Sequence, residues 1–119
     1  MKYTLIIYES PAGFEYRNTP GKAREYWDGW SAYSKALRDA GVFVGGAGLL
    51  PPDSATTVQL RDGKRHVQDG PFADTKEQLG GFYIVDVPSL DDALEWAARI
   101  PSAPGSVTEV RPNLETPPA

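Results

Sequence analysis

Only two stretches of this sequence have apolar residues spaced three and four apart, as an amphipathic helix requires, whereas six stretches are typical of β-strands. The first helix is predicted to begin at Thr19-Pro20, where a hydroxyl can cap it, and to end at Gly41. The second is predicted to begin at Ser89 and to stop before Pro101. The strand patterns cover residues 2–8, 42–50, 56–60, 64–68, 82–87 and 106–112.

The resulting order is strand, helix, strand, hairpin, strand, helix, strand. This is an α+β arrangement, βαββαβ with an added hairpin, in one domain over residues 1–112 with a loose tail over residues 113–119. Two helices can cover only one face of such a sheet, so something else must hide the apolar residues of the other face. We therefore expect a homodimer whose subunits pack sheet against sheet.

The added hairpin has a predictable register, because Asp62-Gly63 is typical of a two-residue type I′ turn. With that turn Val58 lies opposite Val67, and Asp69 shares their face because side chains alternate along a strand. A carboxylate on an apolar face needs hydrogen-bond donors or loses its charge. Asp69 is therefore either a residue that holds the following loop in place or the general base of a pocket.

The segment DGPFADTKEQLGGFY, residues 69–83, combines turn residues, charged residues and the start of an apolar strand. Together with RDAGVFVGGAGLLPP and VTEVRP it resembles the YCII-related family, in the branch named for its DGPF motif, over nearly the whole chain. The resemblance implies a ferredoxin-like subunit that assembles into a dimeric α+β barrel. The family's activity is largely uncharacterised, and an association of resembling proteins with extracytoplasmic-function sigma factors implies a stress-linked role.

One feature of other YCII-like proteins is missing from the sequence. They have a proposed His–Asp pair, with the histidine on the first helix and the aspartate in an Asp-Pro segment after the second. Matching the segments places Trp30 near the position of the histidine and Ile100-Pro101 at the Asp-Pro segment. Neither member of the pair is present, so this sequence offers no such pair for acid–base chemistry.

The candidates for chemistry are charged residues in the DGPF segment and in the last strand, namely Asp69, Lys76, Glu77, Glu109 and Arg111. Lys76 and Glu77 are either a solvated pair or part of a site. Glu109 and Arg111 share one face of a strand, where they form either an ion pair or an anion site. Asp69 or Glu77 is the predicted proton acceptor, and Arg111 or Lys76 would stabilise developing negative charge.

Aromatic residues line one side of the first predicted helix. A stripe at helical spacing is typical of core packing, but the polar tips of Tyr and Trp also suit the wall of a pocket for a flat or amphipathic ligand. Trp27 and Trp30 are the predicted ligand-binding residues of this stripe, and Tyr8, at the end of the first strand, is predicted to join them.

The composition argues against several classes of protein. With no cysteine and one histidine, His66, the chain has no disulfide, cysteine-ligated zinc or histidine-rich metal site within one subunit, and no nucleotide-binding motif is present. No metal or cofactor is predicted. A formal net charge of −4 suits nucleic acid poorly. No apolar run approaches membrane-spanning or signal-peptide length, so we expect a soluble cytoplasmic protein.

The leading hypothesis is that the protein binds a small organic molecule in a pocket near the sheet, with or without acid–base turnover. Whether it is an enzyme stays open at this point. The alternative is a non-catalytic regulatory or interaction protein associated with a sigma factor. A third hypothesis assigns the DGPF corner to folding and dimerisation alone.

Overall fold

The computed structural model describes residues 1–73, 75–101 and 103–115. Six strands and three α-helices follow one another along the chain, with a short 3-10 turn at Pro52–Ser54. The elements are β1 (Lys2–Glu9), α1 (Pro11–Tyr16), α2 (Ala23–Asp39), β2 (Phe43–Gly48), β3 (Thr56–Arg61), β4 (Lys64–Asp69), β5 (Gln78–Asp86), α3 (Leu90–Ala98) and β6 (Val107–Pro112). No helix within the described ranges has both the length and the apolar character needed to cross a bilayer.

Four strands form one antiparallel sheet in the order β2-β5-β1-β6, and β3 and β4 form a separate two-stranded sheet. Without the hairpin, this is the strand order of a ferredoxin-like, split βαβ fold. The predicted α+β class and the βαββαβ order with an added hairpin are therefore confirmed.

The core lies between this sheet and the helices. Strand β1 alternates strictly, so Leu5 and Ile7 point toward the helices and are buried, whereas Ile6 points to the opposite face. Leu37 of α2 and Ala93 of α3 are fully buried against the inner face. The inner face thus has the helix cover that the sequence predicted.

The outer face of the sheet has an apolar patch at its centre, with polar residues beside it. Ile6 lies opposite Phe82 on β5, and Thr4 lies opposite Ile84, so these side chains form a continuous patch across the two central strands. The edge strand β6 adds Glu109, which pairs with Ile6. None of the described helices covers this patch, since the core that they bury belongs to the opposite face.

The β3–β4 hairpin has the predicted register. Val58 pairs with Val67 and Thr56 with Asp69, and the turn residues Asp62 and Gly63 have φ angles of 50° and 74°, as a type I′ turn requires. The hairpin extends away from the main sheet, and the radius of gyration is 16.3 Å. A compact chain of this length would have a value of about 13–14 Å.

The start of the first long helix was predicted wrongly. The segment that follows β1 forms the short helix α1, and Ser10 caps this helix by accepting a hydrogen bond from the Gly13 N–H at 3.2 Å. The hydroxyl of Thr19 donates to the Glu15 carbonyl at 2.7 Å instead of capping α2. Consequently α2 begins at Ala23, three residues after the proline of Thr19-Pro20.

The far end of the chain is described as far as residue 115. In the predicted tail, 113–119, the Asn113 N–H donates to the Lys2 carbonyl at 2.9 Å. The Thr4 hydroxyl donates to the side-chain oxygen of Asn113 at 2.5 Å. Residues 116–119 lie outside the described residues. Asn113 therefore extends the attachment of β6 to β1 by one residue.

Candidate functional site

A cavity of about 320 Å³ opens between α2 and one end of the main sheet. Trp27 and Trp30 of α2 form its helix side, and β2 and β5 form its sheet side with Gly48 and Gly81. Most of the lining is apolar, and a single charged pair, Glu9 and Arg17, belongs to it. The volume lies near the lower end of the range of about 300–1,000 Å³ that is typical of small-molecule sites.

Glu9 is the central polar residue of this cavity and is only 2% exposed. One carboxylate oxygen, Oε1, accepts a hydrogen bond from the Tyr26 hydroxyl at 2.5 Å. The other, Oε2, lies 3.4 Å from Arg17 Nη2. A buried carboxylate needs this kind of compensation, because removing it from water without partners is costly.

Arg17 joins four parts of the chain at the same point. It follows α1 directly, it pairs with Glu9, and its Nη1 donates to the Leu49 carbonyl. Its Nη2 also donates to the Gly80 carbonyl at 3.2 Å. The guanidinium carbon lies 4.9 Å from the ring centroid of Phe14, which adds a cation–π contact. The positive charge is therefore compensated by partners from several elements.

The absence of a side chain at Gly80 leaves room for this ion pair. A Cβ atom at this position would lie 3.1 Å from Glu9 Cγ and Cδ and 3.3 Å from Arg17 Nη2. These separations are closer than side chains normally pack, so only glycine fits without displacing the pair.

Tyr26 stays a neutral hydrogen-bond donor over the physiological range. Its burial, together with the neighbouring Glu9 carboxylate, raises the pKa of the Tyr26 hydroxyl from 10.0 to about 12. Tyr26 thus contributes no charge to the cavity, and the formal charges of Glu9 and Arg17 cancel.

Two buried N–H groups next to the cavity have no hydrogen-bond acceptor among the described residues. They are Nε of Arg17 and Nε1 of Trp30, and both side chains contribute to the cavity lining. By contrast, the indole N–H of Trp27 donates to the Arg17 carbonyl at 3.2 Å. Unpaired buried donors are uncommon in folded proteins and call for an explanation.

The sequence-predicted wall residues fall on both sides of the sheet. Trp27 and Trp30, two of the predicted ligand-binding residues, line the cavity. Tyr8 does not line it, because it lies between Ile7 and Glu9 on a strand whose side chains alternate between the faces. Tyr8 therefore belongs to the outer face, opposite Leu79 of β5 and Val107 of β6.

The predicted charged residues lie away from the cavity. Glu109 and Arg111 form an ion pair on the edge strand β6, with Arg111 Nη2 at 2.7 Å from Glu109 Oε2. Lys76 and Glu77 are exposed in the segment before β5. Asp69 is exposed at the end of β4. None of these five residues lines the cavity, and a functional role for any of them stays a prediction.

The DGPF segment forms a turn that is held to the base of the hairpin. Gly70 has a φ angle of 97°, which favours glycine, and its N–H donates to the Ala55 carbonyl at 2.7 Å. Its carbonyl accepts a hydrogen bond from the Thr57 hydroxyl at 2.7 Å. Phe72 is exposed and does not anchor the turn in apolar surroundings. These contacts give the segment a structural role in closing the hairpin.

Sequence reasoning missed Glu9 and Arg17. The available signal was the alternation of the first strand, in which Leu5, Ile7 and Glu9 share a face. A strand predicted to end at residue 8 excludes Glu9 from that pattern. A carboxylate that continues an apolar face would have indicated a buried, partnered charge.

Comparison with known proteins identifies the family of the chain. The model of the YCII-related domain matches residues 1–115. The chain belongs to the YCII-related family. It is 44% identical to an uncharacterised protein of Rhizobium meliloti (strain 1021) over 84 residues, which is 69% of this chain and 68% of the relative. The predicted family is therefore confirmed, whereas the assignment to its DGPF branch stays a prediction.

Matching of segments placed the histidine of other YCII-like proteins near Trp30, and Trp30 lines the cavity. The polar groups of the cavity come instead from the end of β1, from the residue after α1 and from the start of α2, namely Glu9, Arg17 and Tyr26. The cavity therefore has a carboxylate, a guanidinium and a hydroxyl as its polar groups.

Proposed function

We propose that this YCII-related protein binds a small organic molecule in the cavity between α2 and the sheet. The polar end of the site is formed by Glu9, Arg17 and Tyr26, and Trp27 and Trp30 form the apolar wall. The observation that carries this proposal is the buried Glu9–Arg17 pair at the edge of a cavity. A buried ion pair is a poor means of stabilising a fold, whereas sites that bind or transform ligands use such groups regularly.

The unpaired Trp30 N–H supports the same proposal. A buried donor without an acceptor costs free energy, and an oxygen atom of a bound molecule would supply the acceptor. The side chain of Trp30 belongs to the cavity wall, next to the space that a bound molecule would occupy.

The polar groups also match the parts of an acid–base mechanism. Glu9 supplies a proton acceptor, Tyr26 a neutral hydroxyl donor and Arg17 a fixed positive charge. They replace Asp69 and Glu77 as our candidates for proton transfer, because those two residues are exposed and lie outside the cavity. We place any turnover by this protein at the Glu9 carboxylate.

Ligand screening with tryptophan variants tests the binding proposal. A broad metabolite library is screened by thermal shift, and hits are measured by calorimetry with the wild type, Trp27→Ala and Trp96→Phe. Trp96 lies on α3, where its ring packs against Tyr33, and it does not line the cavity, which makes it the matched control. Hits should weaken in Trp27→Ala and persist in Trp96→Phe. Hits that respond equally to both variants, or no hits at all, would refute the proposal.

We also infer that two copies associate through the outer face of the sheet. The apolar patch around Ile6, Phe82 and Ile84 has no cover from the described helices, and a second copy would bury it. The hairpin, with Val58 and Leu60 exposed, offers further apolar surface for a second copy. Light scattering at micromolar concentration should give twice the mass of the chain, and a stable monomer would contradict the inference.

The regulatory alternative depends on the family resemblance alone. It assigns the protein to a partnership with an extracytoplasmic-function sigma factor, without catalysis. Specific capture of a sigma factor, together with a metabolite screen that yields no ligand, would favour it over the binding proposal.

A further inference from the structure

We propose that the cavity selects a neutral, planar molecule that carries a hydroxyl or N–H group, and that it rejects charged molecules of the same shape. This inference rests on the proposed function, because it names the class of ligand for the same site. It follows from the charge balance of the cavity, from its shape and from the hydrogen-bonding capacity of Glu9.

The charges of the cavity are already balanced. Glu9 and Arg17 are the charged residues of its lining, and their side chains are only 3% and 8% exposed. Tyr26 is neutral, since its pKa is raised to about 12. A charged ligand would therefore enter a buried site without a free counter-ion, and an unpaired buried charge is strongly disfavoured.

A cation is disfavoured for a second reason. Aromatic rings close to a carboxylate would normally bind an ammonium group well. Here the Arg17 guanidinium already occupies that place, with its central carbon 4.9 Å from the Phe14 ring centroid and 5.7 Å from that of Trp27. It also forms the ion pair with Glu9, so the cavity contains its own cation.

The shape of the cavity favours a flat molecule. Indole rings of α2 lie on one side, and on the other side Gly48 of β2 and Gly80 and Gly81 of β5 present bare backbone next to the Tyr83 ring. The Trp30 and Tyr83 rings are almost parallel, with an interplanar angle of 16° and centroids 6.1 Å apart, so they present an ordered aromatic surface. A planar ring can contact aromatic faces and glycine backbone together.

The hydrogen-bonding capacity of the Glu9 carboxylate indicates which polar group the ligand carries. An ionised carboxylate only accepts hydrogen bonds, and each of its oxygens can accept more than one. Oε1 accepts one from Tyr26 and Oε2 is paired with Arg17 at a long 3.4 Å, which leaves capacity for another donor. A hydroxyl or N–H group of the ligand meets this need.

Four naphthalenes substituted at the same ring position test the inference: naphthol, methoxynaphthalene, naphthoate and naphthylmethylammonium. Calorimetry at neutral pH compares their affinities for the wild-type protein. Naphthol should bind at least about tenfold more tightly than either charged analogue, because the charged groups would be buried unpaired. Methoxynaphthalene, which keeps the ring but lacks the donor, should bind more weakly by about fivefold or more.

A variant with altered charge provides the sharper comparison. Glu9→Gln leaves Arg17 as the charged residue of the lining, so the preference for naphthol over naphthoate should shrink by about tenfold or reverse. Glu109→Gln changes an ion pair outside the cavity and should leave the wild-type preferences unchanged. Should Glu9→Gln fail to fold, the four affinities of the wild type still decide the inference.

Failure of this inference is distinguishable from failure of the proposed function. Equal affinities for naphthol and naphthoate would overturn the charge selectivity while leaving a functional binding cavity. Equal affinities for naphthol and methoxynaphthalene would overturn the contact with Glu9. No binding by naphthol would overturn the inference as a whole, and the metabolite library with the Trp27→Ala variant then decides the proposed function separately.

Discussion

The Glu9–Arg17 pair can be compared directly with a second Glu–Arg pair on the surface of the same protein. The first pair has side-chain exposures of 3% and 8%, and the Glu109–Arg111 pair has 42% and 70%. We predict that Glu9→Gln lowers the free energy of unfolding far more than Glu109→Gln does. Both substitutions remove one negative charge and keep the side-chain shape, so the difference between them isolates the effect of burial.

The magnitude follows from the partners that each substitution leaves behind. Breaking a buried ion pair typically costs about 3–5 kcal/mol, because the remaining charge has lost its counter-ion. Arg17 would keep the carbonyls of Leu49 and Gly80 as acceptors, and the new amide could still accept from Tyr26. We therefore expect Glu9→Gln to cost about 2–4 kcal/mol, slightly less than a complete loss of partners. Glu109→Gln should cost about 0–1 kcal/mol, as exposed pairs do.

Urea unfolding followed by far-ultraviolet circular dichroism measures both values. Protein concentration must be low enough to keep the chain monomeric, since Glu109 lies opposite Ile6 on the face proposed for association, and a second copy would add to the apparent stability. A chain of this length should show a melting temperature lowered by roughly 10 °C for Glu9→Gln and by only a few degrees for Glu109→Gln. Costs that agree within about 0.5 kcal/mol would refute the reasoning, because burial would then not distinguish the pairs.

Three further predictions address the cavity glycine, a titrating tyrosine and the outer face. Gly80→Ala should destabilise the protein by about 1–3 kcal/mol, since the new Cβ would lie 3.1 Å from side-chain carbons of Glu9. Gly45→Ala is the control, because its Cβ would meet nothing within 4 Å, and thermal melts should show little change in its stability. Stability should fall as pH rises from 10 to 12, because the pKa of Tyr26 is 10.0 in the unfolded chain and about 12 in the folded one, so the unfolded chain loses its proton first. Tyr26→Phe should reduce this slope in urea titrations without abolishing it, since burial also raises the pKa of Tyr33; an unchanged slope would contradict the assignment. Ile6→Glu should shift the sedimentation of the proposed homodimer toward the monomer, and an unchanged dimer would exclude the outer face as the interface.

Local sequence signals predicted the hairpin completely. The pair Asp62-Gly63 adopts positive φ at both positions, which few other residue pairs tolerate, and that turn sets the pairing of Val58 with Val67. The cap at Ser89 was predictable for the same reason, since its hydroxyl accepts from the Asp92 N–H within one turn of helix. In both cases the interacting groups are close neighbours in the chain.

The start of the first helical region was less predictable, because two hydroxyl–proline pairs compete there. Ser10-Pro11 begins α1, and Thr19-Pro20 precedes the start of α2 without capping it. The choice depends on packing, since α1 places Phe14 in a buried position and Gly13 close to Ala103. Ala103 is far away in sequence, so a local pattern contains no information about it.

The sequence by itself determined the order of the six strands with α2 and α3, the register of the hairpin and two aromatic residues of the cavity, Trp27 and Trp30. Those features depend on periodicity and on contacts within a few residues. Only the tertiary structure decided that Glu9, and not Asp69, is the buried carboxylate of the cavity. Glu9 can be buried because Arg17, which follows α1, pairs with it, and because Gly80 of β5 leaves space for its side chain. A charge is tolerated in the interior only where such distant partners converge, so its position is a property of the assembled fold.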